Sequence, residues 1–587
     1  MKKRSQIKDN YKWDLSIFCK NDDDFYQKCD KIEKKLPSFE KYKGKLKDKE
    51  TIWKYLQESK QFDKDYNDIV CYAYRRRDED LSDEKANNMV ERLNNLMTKT
   101  SESLSFVSIE LYALPNKLLD DIISDKKFED YDKMFKDIKK EKKHRLPDEV
   151  EKFISGMNFL DGYDENMGKF ADVDLKFDDI LDSKGKKHKL DASLYGGYIN
   201  SADRELRKNA FIETHEKFGD YIDFLASNYA SQVKMDCFFA RKRKYNSALD
   251  CAVENEGVSK EVYQSLISSV HKNLPLLFDY FEKKRKLLGL KDFYNYDSGA
   301  PLSNKASKKY TYEQAMDLLR QALSPLGEEY VKLLRRAQDE RWIDVFPNEH
   351  KRSGAYSTSV YRKNPLVLTN FAGEYEDVST LAHELGHAMH SYFSDKTQKE
   401  PKAYYKIFLA EIASTTNELL LAMYMIENAK KKEDKRKYAN IVLNNAKATI
   451  YRQAMFAEFE EKTHDAQEKE MPLTKQFLSK TYFELNKIYF GKKVKLVKQV
   501  QYEWARIPHF FSAFYVYKYA VGMLCACNFV QRILSKEKGA LEDYIGFLSS
   551  GDKDTPLNIL KEAHCDVEDA KTFEKGFEFL KEIYKYI

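Results

Sequence analysis

The residues best placed to do chemistry lie together in Thr380-Leu-Ala-His-Glu-Leu-Gly-His-Ala-Met-His390. His383 and His387 are four apart, so on a helix they share one face, about one turn from each other. Two imidazoles so placed can hold one Zn²⁺, with Glu384 between them reaching the open coordination position as a base. The flanking residues are uncharged, which suits a helix buried under a cleft. A solvated amphipathic helix could also carry two histidines, but apolar flanks argue against it, and buried histidines need partners.

A zinc site of this kind needs a further protein ligand. Phe408-Leu-Ala-Glu-Ile-Ala-Ser-Thr-Thr-Asn-Glu418 reads as an apolar helix carrying Glu411 with no cation nearby in sequence. An unpaired buried carboxylate is costly, and a metal would remove that cost; a buried ion pair would do so too. Glu418 lies two turns along the same face, where it could orient a ligand or be an ordinary polar residue. In Pro508-His-Phe-Phe-Ser-Ala-Phe-Tyr-Val-Tyr-Lys-Tyr-Ala520, Tyr515 and Tyr519 are four apart, and a helix would put them on one face. Aromatics at that spacing most often fill a core. Gly354-Ala355-Tyr356 reads either as loop and sheet or as a place where a substrate backbone approaches, with Pro365 to Phe371 as an edge strand for an extended peptide. His390 is rotated away from the pair and reads as structural.

Gly354-Ala-Tyr-Ser, Asn370-Phe, Leu381 to His390, Ala410-Glu-Ile-Ala-Ser-Thr415 and His509 through Ala520, with Trp13-Asp-Leu near the start, follow in an order and spacing that resemble the thimet oligopeptidase-like zinc metallopeptidase family. The resemblance spans most of the chain. It implies a mainly α, two-lobed helical ellipsoid with a deep central channel, a few short strands near the zinc site, and one Zn²⁺ per chain held by His383, His387 and Glu411. It also implies hydrolysis of internal bonds in oligopeptides, with Glu384 as general base. His509 and Tyr519, and with them Tyr515, become donors to the developing oxyanion. Gly354, Ala355 and Tyr356 become substrate contacts. Two other readings stay open: a zinc carboxypeptidase on the same scaffold, and a non-catalytic peptide-binding protein. An intact Glu384 argues against the second, because binding alone needs no base.

The rest of the chain must position these groups. Apolar residues at three- and four-residue spacing predict helices over most of it, including 404–429, 434–463, 473–488 and 511–534. Val173 to Phe177 and Leu190 to Leu194, either side of Ser183-Lys-Gly-Lys186, predict a hairpin. We expect an N-terminal helical region over 1–200 and a catalytic domain over 201–587. Composition agrees: 587 residues, 42% hydrophobic, 34% charged, with only 12 Pro and 21 Gly. A net charge of +5 arises from 101 basic and 96 acidic side chains mixed along the chain, which predicts no nucleic-acid partner. No apolar run approaches a bilayer span and no apolar stretch follows the basic N-terminus, so neither membrane insertion nor a signal peptide is expected. Eight cysteines without paired spacing fit reduced thiols in the cytoplasm. Oligomeric state is not legible.

Overall fold

The computed structural model describes residues 2–155, 162–302 and 308–587. It is mainly helical with a few short strands, as expected. The chain folds into two compact units, each assembled from three separate segments. One comprises Met1–Arg145, Ser307–Leu421 and Ile533–Ala563; the other comprises Leu146–Ala306, Ala422–Arg532 and His564–Ile587. These segments do not follow a single linear boundary such as residue 200. Among the described residues no helix is long and apolar enough to cross a membrane, and the eight cysteines are free.

The first unit begins with long amphipathic helices. Lys49–Glu79 is one continuous helix, capped by Asp48 accepting from the Thr51 amide. Glu84–Ala113 follows, capped by Asp83. Their apolar faces close a core with Trp13, Phe25, Phe39, Leu366 and Leu368. Leu366 and Leu368 belong to a three-stranded sheet in which Leu366–Leu368 is central, parallel to Ile343–Asp344 and antiparallel to Tyr356–Thr358. The register pairs Tyr356 with Leu368 and Thr358 with Leu366. The expected edge strand is thus displaced: 366–368 is buried between two partners, and Tyr356–Thr358 forms the edge.

In the second unit the hairpin exists, but its strands are Ile180–Leu181 and Lys187–His188, drawn in towards the turn at Gly185. Residues 170–174 and 192–199, expected in part as strand, are helical. Lys260–Lys272 and Leu274–Leu287 are separate helices, with Pro275 in the first turn of the second, where its missing N–H costs nothing. The 511–534 helix begins only at Tyr517.

One buried charge cluster ties the N-terminus of the first unit to its sheet. Asp344, fully buried, accepts from Arg4 (Nη1, 2.8 Å) and pairs with Lys351 at 2.7 Å. Arg4 also reaches Glu79 at 3.0 Å, and the Trp13 indole donates to the same carboxylate at 2.7 Å. Asp344→Ala leaves Lys351 without its counter-charge, which costs about 3–5 kcal/mol. A clear drop in thermal midpoint should follow, larger than for Glu79→Ala, whose cation partner is more exposed.

Candidate metal centre and active site

The metal-site helix spans Tyr375–Thr397. Its start is built from the acidic run before it: Asp377 accepts from the Ala372 and Glu374 amides at 3.1 and 2.8 Å, satisfying donors that the first turn leaves free. A second helix, Ile407–Asn428, carries Glu411 and Glu418. The two meet at Gly386. A Cβ there would lie 2.6 Å from the Ser414 Cα and 2.7 Å from the Ala413 carbonyl oxygen, so no other residue fits without the helices separating. Asn417 holds the contact by donating to the Ala382 carbonyl at 2.9 Å, and its own carbonyl accepts from the Tyr330 hydroxyl at 2.8 Å.

This approach converges the three expected ligands. The Nε2 atoms of His383 and His387 are 3.2 Å apart, and Glu411 Oε2 lies 3.5 and 3.9 Å from them. Tetrahedral zinc with ligand bonds of about 2.0–2.2 Å would place its ligand atoms about 3.3–3.6 Å apart. The triangle fits that ion, and two imidazoles with one carboxylate form a donor set suited to zinc. Glu418 completes the arrangement: His383 Nδ1–H donates to its Oε1 at 2.5 Å, so that in the neutral imidazole the Nε2 lone pair faces the cluster. Ser414 Oγ donates to Glu411 Oε2 at 3.0 Å.

Electrostatics separate the groups. Burial pushes the Glu384 carboxyl up to about 7, opposed by His383 and helped by Glu411 and Glu418. Burial disfavours charge on His383, but the hydrogen bond and charge of Glu418 outweigh it and raise that imidazole to about 9. His387 is pushed down to about 3 by burial and then by the charge on His383. His390 is fully buried and stacked 3.6 Å from the Tyr405 ring, as its structural reading requires.

The remaining expected residues fall into two groups. Gly354, Ala355 and Tyr356 lead into the edge strand, which packs against the metal-site helix. Gly354 has φ +79°, a conformation glycine adopts without strain, and its carbonyl accepts from Asn370 Nδ2 at 2.8 Å. The Tyr356 hydroxyl is committed to Asp78 at 2.6 Å and its ring lies against Arg75, so the side chain is fixed rather than free to fold over a ligand. In the second unit, His509, Tyr515 and Tyr519 form one cluster with ring centroids 5.5–6.3 Å apart. Helical spacing is not the reason. Tyr515 precedes the helix, in a turn where Phe514 has φ +54°, and that turn brings its ring edge-on to Tyr519. Tyr517 packs in the core against Tyr263. The contact at Gly386 has no warning in the sequence.

Comparison with known proteins agrees along the whole chain. The profile described as Peptidase family M3 matches residues 198–579, and one described as Oligopeptidase F matches residues 110–177. The chain is 33% identical to Oligopeptidase PepF of Bacillus subtilis, over 99% of this chain and 87% of that protein. It is 34% identical to an oligoendopeptidase F homolog of Borreliella burgdorferi, over 98% of each. The crystal structure of oligoendopeptidase-F from Enterococcus faecium is similar with TM-score 0.72 at 28% identity, covering 96% of this chain and 99% of that one.

Two variants test the metal centre. Glu418→Ala should lower zinc affinity roughly 10–100-fold, read by competition with a chromogenic chelator. Gly386→Ala should keep its helical circular dichroism and lose stoichiometric zinc.

Proposed function

The chain belongs to peptidase family M3, and on that premise we propose that it is a zinc-dependent oligoendopeptidase, cutting internal bonds of short peptides. The observation that carries the reading is the His383–His387–Glu411 triangle with Glu384 next to it, 7% exposed. A zinc ion held by these three residues would lower the pKa of a bound water towards neutrality. Glu384 takes a proton from the attacking water and returns it to the leaving amine. Glu418 fixes the His383 tautomer.

The substrate lies extended along the free side of Tyr356–Thr358, exchanging main-chain hydrogen bonds with that strand. The fixed Tyr356 ring and the unencumbered Gly354 support this placement, since nothing lies within 4 Å of where a Gly354 Cβ would be. By their sequence pattern we assign His509 and Tyr519 as donors to the carbonyl oxygen as it gains charge; within the second unit Tyr515 packs against both rings. The free thiols suit a reducing compartment, and we place the enzyme in the cytoplasm.

Internally quenched peptides of graded length, with products identified by mass, test the whole reading. Cleavage at internal bonds should stop with a chelator and return with zinc. Cleavage that persists in chelator would remove the metal from the mechanism, and release of single C-terminal residues would make the enzyme a carboxypeptidase. Glu384→Gln should keep its zinc and lose kcat by about 10²–10⁴-fold. Tyr519→Phe should lower kcat by roughly 10²-fold with little change in KM.

A further inference from the structure

The second unit contains a cavity of about 460 Å³ that none of the chemistry above uses. Its charged lining is Lys447, Arg452, Arg506 and a single carboxylate, Glu503. Glu503 is already shared. It accepts from Arg452 at 2.8 Å and from the Tyr482 hydroxyl at 2.8 Å, and Arg506 lies 3.9 Å away. Lys447 has no carboxylate partner among the described residues; its Nζ donates to the Ser298 carbonyl at 3.1 Å. A second buried ammonium, Lys284, donates to that same oxygen at 2.8 Å. Lys447 without a carboxylate partner, beside two arginines sharing one carboxylate, leaves uncompensated positive charge at the cavity wall.

Two further observations point to a ligand. The amide of Asn295, a cavity-lining residue only 2% exposed, has a buried Nδ2 with no hydrogen-bond partner, although its Oδ1 accepts from the Val497 amide at 3.3 Å. The wall carrying Lys447 is also irregular. Residues Lys447–Tyr451 form a π-helical turn between Lys432–Ala446 and Arg452–Glu468, a distortion that recurs at functional sites. The lining also includes apolar and aromatic residues, among them Phe211, Leu277, Phe281 and Phe490. The cavity is far larger than an inorganic ion needs and lies in the range of small-molecule sites.

We propose that this cavity binds an organic carboxylate with an apolar body, its carboxylate held by Lys447 and Arg506 and its body against the phenylalanine wall. A guanidinium offers paired N–H donors that match a carboxylate's two oxygens. The choice of carboxylate over phosphate rests on the peptidase reading, because apolar C-terminal carboxylates are what such an enzyme meets as substrates and releases as products. Burial and then the charge on Arg452 push Lys447 down to about 8, and an anion beside it would reverse that.

The test is calorimetry on the full zinc-loaded chain with N-acetyl-phenylalanine, N-acetyl-phenylalanine amide and phenyl phosphate, at low ionic strength. The free acid should bind at least tenfold more tightly than the amide, and more tightly than phenyl phosphate. Lys447→Met and Arg506→Leu should each weaken the acid at least tenfold and leave the amide unchanged. Lys447→Gln, which keeps a donor for Ser298, should fold as wild type and still lose the preference. Equal binding of acid and amide overturns the proposal. So does unaltered binding in folded Lys447 and Arg506 variants, which would put the ligand elsewhere. Tighter binding of phenyl phosphate overturns the carboxylate assignment. Hydrolysis of the quenched peptides by wild type is scored separately, so failure of this site and failure of the peptidase reading are distinguishable.

Discussion

Two helices touch where one of them has no side chain, and the metal centre depends on that contact. At Gly386 the backbone of Tyr375–Thr397 comes against Ser414 with no room for a methyl group. His383 and His387 flank that point on one helix, and Glu411 lies just before it on the other. A larger residue would move the second helix outward, and ligand bonds tolerate only about 0.2 Å of error. The Asn417–Ala382 and Tyr330–Asn417 hydrogen bonds resist sliding as well as separation. The distances among the three ligand atoms are therefore set by backbone packing, with side-chain rotamers making the final adjustment.

The same packing concentrates negative charge. Glu384, Glu411 and Glu418 lie around two imidazoles; burial first and then the neighbouring carboxylates raise Glu384, while Glu418 overcomes burial to raise His383. His383 gives these carboxylates one nearby cationic partner, and a divalent cation would add further counter-charge. The structure is thus strained electrostatically in the direction that a metal relieves, and metal affinity and local stability rise together. Removing one carboxylate relieves crowding and removes a ligand or an orienting partner at the same time.

Much of this was legible in the residues. The i, i+4 histidines and an apolar helix bearing an unexplained Glu411 each carried a physical reason, and the geometry joins them. The role of Glu418 was half legible: spacing put it on the right face, but the same spacing suits any polar residue. Three things were hidden. Periodicity cannot tell a central strand from its neighbour, so it predicts the edge at 365–371 where the structure has it at Tyr356–Thr358. Nor does it see a turn such as the one at Phe514, which delivers Tyr515 to Tyr519 from outside the helix. The closeness of Gly386 to Ser414 depends on two segments meeting in space, which a single sequence does not encode in readable form.

The division of each unit into three segments has a consequence during synthesis. The metal-site helix is completed by residues far downstream: Phe547 packs on His390, and Gly551 fits under the Lys402 carbonyl. At about 5–20 residues per second, roughly 10–30 s separate translation of Glu384 from translation of Phe547. For that interval the helix bearing the histidine pair lacks the packing that completes its far end, so the geometry of the site is finished only late in synthesis.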